Sequence, residues 1–85
     1  MKTIEYTVKD PLGIHARPAG LLVKAVKKYK CDITIYKDKD YTDAKKIFGL
    51  MGLSVKCGDK IKIECKGLDE EAAASELKAF LEANL

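Results

Sequence analysis

The residues able to do chemistry cluster in one stretch, Gly13-Ile14-His15-Ala16-Arg17-Pro18. His15 is the only histidine of the chain. Its neutral imidazole can act as a nucleophile and hold a transferred group. Arg17 adds a permanent planar cation suited to phosphate oxygens. Pro18 fits the first turn of a helix, where a missing N–H costs nothing, and the pre-proline restriction on Arg17 argues against much helix before it. A helix start exposes unpaired N–H groups and the positive end of the dipole, so it binds anions. A phosphoryl group on His15 would meet the backbone N–H groups of Ala16 and Arg17 and the guanidinium of Arg17, with no metal bound by the chain. A lone histidine at a helix start also serves as a cap or surface residue, and spacing alone leaves both readings open.

The flanking pattern supplies the elements that would position this stretch. Ile4, Tyr6 and Val8 alternate with Thr3, Glu5 and Thr7, which predicts a half-buried first strand, broken by Asp10, Pro11 and Gly13. From Ala16 to about Lys28, residues Ala19, Leu22, Val26 and Tyr29 share one helical face. Cys31, Ile33 and Ile35 predict a second strand, Asp38 to Asp40 a turn, and Tyr41 to Asp43 a short third strand. Ile47, Leu50 and Met51 fit one face of a short helix, with Phe48 pointing elsewhere. Ile61, Ile63 and Cys65 alternate with lysines and Glu64 in a fourth strand. Asp69 can cap a last helix that buries Ala73, Leu77, Phe80 and Leu81. The order β-α-β-β-α-β-α predicts an α+β open-faced sandwich over residues 1–85. Periodicity does not choose the strand order, and a ferredoxin-like sheet is equally compatible.

Composition narrows the function classes. The 16 basic and 13 acidic residues leave a net charge of +3, with the lysines spread among acids rather than in a basic stripe. That argues against nucleic acid and for a solvated surface that favours acidic protein partners. No run approaches the roughly 18 apolar residues of a membrane span, and no leader is expected. Cys31, Cys57 and Cys65 form no CxxC pair, so the expectation is reduced, mostly buried thiols, no metal and a cytoplasmic setting.

Gly13-Ile14-His15-Ala16-Arg17-Pro18-Ala19 resembles the G-[LI]-H-A-R-P-A signature of the HPr family of histidine phosphocarriers. Ala44-Lys45, Ile47-Phe48-Gly49-Leu50-Met51, Gly58-Asp59 and Gly67-Leu68-Asp69-Glu70 extend the resemblance along the whole chain. It implies a four-stranded antiparallel sheet of order 1-4-2-3, covered on one face by three helices. It also implies a cofactor-free carrier that is not an enzyme acting alone. Enzyme I, charged by phosphoenolpyruvate, would phosphorylate Nδ1 of His15, and the IIA domain of a sugar permease would receive the group. Arg17 would accompany the phosphoryl group. Ile47, Phe48 and Met51 would dock both partners, with Gly20 and Lys24 on the same surface, and sharing one face favours a monomer.

Two positions depart from the family. Lys46 stands where many Gram-positive members carry a serine phosphorylated by a dedicated kinase, so that control should be absent. Gly52 and Ser54 reverse the more frequent order of serine and glycine, which should loosen the end of the short helix. The alternatives are a regulatory paralogue serving a non-sugar branch, or a noncatalytic ligand- or RNA-binding domain. Against the last, the exposed sheet positions Thr3, Thr7, Lys60 and Lys62 include no aromatic stacking pair.

Overall fold

The structure, a computed structural model, describes all 85 residues. Strand β1 (Lys2–Thr7) leads into helix α1 (Ala16–Lys27). Strands β2 (Asp32–Lys37) and β3 (Asp40–Asp43) form a hairpin, followed by helix α2 (Ile47–Gly52). Strand β4 (Lys60–Lys66) and helix α3 (Glu70–Asn84) complete the chain. The sheet order is β1-β4-β2-β3, with every pair antiparallel. All seven elements fall where the periodicity puts them, and the sheet order is the one the resemblance implies, which rules out the ferredoxin-like alternative. No helix is long and apolar enough to cross a membrane.

The three helices cover one sheet face. Ile33 and Ile35 of β2 and Ile61, Ile63 and Cys65 of β4 point into the core, where they meet Leu22 and Val26 of α1, Leu50 of α2, and Leu77 and Leu81 of α3. Each such aliphatic side chain contributes about 1.5–3 kcal/mol when fully buried. Tyr29, just past α1, is tied to α3: its hydroxyl donates to Glu76 (2.6 Å), which pushes the phenol up to about 12.

Several sequence expectations need correction. Val8 is buried but lies beyond the end of β1, and Cys31 is buried just before the start of β2. α1 does start at Ala16 as expected, with Pro18 tolerated in its first turn. Met51 turns outward, 41% exposed, and only Leu50 of α2 is fully buried. Phe80 is half-buried. Asp69 sits at the cap position of α3 without capping it. Its carboxylate instead accepts the N–H groups of Lys30 and Cys31 at 2.8 and 2.9 Å, which fastens the α1–β2 connection to the start of α3. Cys31 and Cys65 are buried, whereas Cys57 is exposed. The open sheet face does carry an aromatic pair, Tyr36 and Tyr41, with ring centroids 5.7 Å apart. Their cross-strand register placed them side by side, a relation that periodicity along one strand does not display. The Tyr36 hydroxyl donates to Glu64 and Lys62 lies over its ring, so a mixed-charge network occupies that face.

Candidate functional site

His15 is the cap residue of α1, with extended backbone (φ −103°, ψ −175°), and its side chain makes no capping hydrogen bond. The loop before it is held in shape from two sides. Gly13 takes φ +67°, a left-handed conformation that favours glycine, and a Cβ there would stand 2.1 Å from the Val55 carbonyl oxygen. Ile14 N–H donates to that same carbonyl at 3.0 Å, which anchors the loop to the segment between α2 and β4. On the other side, the backbone N–H groups of Lys9 and Asp10 both donate to the backbone oxygen of Leu85.

The result is a half-exposed imidazole, its side chain 37% accessible, at the positive end of a twelve-residue helix. Inside the helix the first N–H groups have no carbonyl one turn back. Ala19 N–H reaches the His15 carbonyl at 3.0 Å, and none of the loop or cap hydrogen bonds uses the N–H groups of Ala16 or Arg17. Arg17 is exposed and lines the same open groove as His15, together with Asp10, Pro18, Leu21, Ala83 and Asn84. Its volume is about 240 Å³, enough for a small anionic group and open to a macromolecular partner. His15 and Arg17 line this groove, with Ala16 between them in the first turn of α1.

Sequence reasoning missed Asp10, Leu21 and Asn84. Leu21 could have been found, since it lies one helical turn beyond Arg17. Asp10 approaches across a turn, and Asn84 arrives from the far end of the chain, so neither has a local signal. No group of three or more His, Cys, Asp or Glu side chains is arranged to hold a metal ion.

A second surface lies on α2 beside α1. Phe48 is 86% exposed, Met51 is exposed and Ile47 is half-buried. The Cβ that Gly20 lacks would sit 3.8 Å from the Ile47 side chain, so Gly20 marks where α1 and α2 approach. Lys24 is exposed one turn further along α1. Lys46 occupies the cap position of α2 and provides no side-chain cap.

Comparison with known proteins bears on this geometry. The family model described as the PTS HPr component phosphorylation site matches residues 2–83. Phosphocarrier protein HPr of Mycoplasma pneumoniae is 41% identical over 83 residues, covering 96% of this chain and 94% of that protein. The crystal structure of HPr from Thermoanaerobacter tengcongensis superposes with a TM-score of 0.93 at 37% identity, covering 98% of this chain and 93% of the other. Crh, the catabolite repression protein of Bacillus subtilis, was solved as a domain-swapped dimer. It superposes with a TM-score of 0.78 at 32% identity, covering 100% of this chain and 98% of the other. The chain belongs to the HPr family, the histidine-containing phosphocarriers of the phosphotransferase system.

Proposed function

We propose that this protein carries a phosphoryl group on Nδ1 of His15, accepting it from phosphorylated enzyme I and delivering it to the IIA domain of a sugar permease. The observation that carries this reading is His15 itself: a half-exposed imidazole beside the unused N–H groups of Ala16 and Arg17, inside the family's motif. The lone pair of Nδ1 attacks phosphorus, and the bond to the donor breaks with its electron pair returning to the donor atom. Backbone N–H groups of Ala16 and Arg17 and the Arg17 guanidinium meet the charge on the phosphoryl oxygens. The helix supplies this environment already oriented, so no rearrangement is needed at the moment of transfer.

Partners dock on Ile47, Phe48 and Met51, with Gly20 letting the helices approach and Lys24 offering positive charge at the rim. An exposed Phe48 leaves unburied the apolar surface that a core phenylalanine would hide, so a partner gains by covering it. Use of one face by both partners fits a cytoplasmic monomer, whose mass by light scattering should be that of one chain. A stable dimer that hides His15 would count against it. Lys46 favours a carrier without serine-kinase control, and a serine kinase of this system with ATP should leave residues 42–54 unphosphorylated.

The test is to mix the protein with phosphoenolpyruvate, magnesium and a cognate enzyme I and to measure intact mass. One acid-labile phosphoryl group on the wild type and none on His15→Ala is the expected result. No transfer from an active cognate enzyme I would overturn the reading.

A further inference from the structure

We propose that Asp10 is a positioning residue for His15, holding the imidazole with its proton on Nε2 so that Nδ1 is free to accept the phosphoryl group. The inference rests on the carrier reading above and adds a residue that the motif does not contain.

Asp10 Oδ2 lies 3.8 Å from His15 Nε2, and both side chains are partly exposed, at 26% and 37% accessibility. The rest of Asp10 is committed. Its Oδ1 accepts the N–H of Leu12 at 2.8 Å. Its carbonyl accepts the N–H of Gly13 at 2.9 Å, and its own N–H donates to Leu85 at 2.8 Å. Pro11 fixes the next φ. One carboxylate oxygen is thus locked into the turn while the other faces the ring. The other charged side chain lining this groove is Arg17, and α3 contributes only Ala83 and Asn84 side chains to it.

At 3.8 Å the pair is wider than a hydrogen bond, and the carboxylate acts through its charge, which favours the tautomer with hydrogen on the nitrogen it faces. Nε2 keeps its proton throughout the transfer. The forming N–P bond draws on the Nδ1 lone pair, and the ring then bears a positive charge that Asp10 partly neutralises. When the group moves on, the N–P pair returns to Nδ1 and the ring departs as neutral imidazole. Without a proton on Nε2 it would have to leave as an anion.

Asp10→Asn is the discriminating variant. The asparagine oxygen can still take the Leu12 N–H, which turns its NH₂ group toward Nε2 and invites the opposite tautomer. Nitrogen-15 spectra of labelled histidine, recorded where the ring is neutral, should show the Nδ1–H tautomer rising at least twofold in the variant. The rate of phosphorylation by enzyme I should fall at least fivefold while the circular dichroism spectrum is unchanged. An unchanged tautomer balance, or a changed balance with an unchanged rate, overturns the role of Asp10 while a phosphorylated wild type keeps the carrier reading. A wild type that enzyme I does not phosphorylate removes the carrier reading itself, and the Asp10 role with it.

Discussion

Exchanging two residues at the end of α2, Gly52→Ser with Ser54→Gly, should stabilise the protein. Ser54 has φ +53°, in the left-handed region, and its side chain is exposed. A non-glycine residue there costs roughly 1–2 kcal/mol, and glycine removes that cost. Glycine also loosens the unfolded chain, which takes back about 0.4–1 kcal/mol. Gly52 is the last residue of α2, and a Cβ there would meet nothing within 4 Å. Serine is a better helix residue than glycine by about 0.4 kcal/mol. The sum is about 1 kcal/mol, which for a domain of this size raises Tm by roughly 4–8 °C. Scanning calorimetry of the double variant and both single variants measures it, with most of the gain expected in Ser54→Gly. The Ser54 carbonyl accepts Lys37 Nζ at 2.8 Å, and that bond survives the exchange. A Ser54→Gly variant that melts at or below the wild-type temperature would refute the reasoning.

Three further outcomes follow from the geometry. Gly13→Ala should cost about 2 kcal/mol or more, since positive φ and a clash with the Val55 backbone act together; urea unfolding checks it, and a wild-type midpoint would contradict the account of the loop. Native protein at pH 8 should show one fast-reacting thiol out of three with a disulfide reagent: Cys57 is exposed, while burial, then Asp69, pushes the Cys31 thiol up to about 11, and burial raises Cys65. More than one fast thiol would show that the core opens readily. The N–H of Lys30, with Cys31 beside it, holds the Asp69 carboxyl below its usual range, so its stabilisation is present above the unfolded value and is lost as acid protonates it. Asp69→Asn should therefore lower stability at neutral pH and flatten its decline below about pH 4, read from urea midpoints against pH; an unaltered slope would remove Asp69 from the acid response.

Most elements were legible because the longer strands show period two and the long helices an apolar stripe, as Ile61-Ile63-Cys65 and Ala19-Leu22-Val26 do. Strand order was legible only through resemblance, since alternation tells which face a residue takes and not which strand lies beside it. α2 was harder. In six residues, buried and exposed positions both carry apolar side chains, so Met51 and Leu50 look alike until the packing separates them. Asp69 shows a related limit: its type announces a helix start, but its carboxylate serves a loop 38 and 39 residues away. At the candidate site His15, Ala16 and Arg17 could be read because they are contiguous. Asp10 and Asn84 reach the groove only through chain closure, which no local pattern encodes.

That closure also has a consequence for synthesis. His15 leaves the ribosome before Val55 and Leu85, which shape its loop, and β1 pairs only with β4. These are contacts of high sequence separation, which form late because long loops must close first. A nascent chain therefore displays the histidine well before it displays the acceptor geometry. If His15 receives a phosphoryl group as proposed, readiness to receive it then reports completed folding.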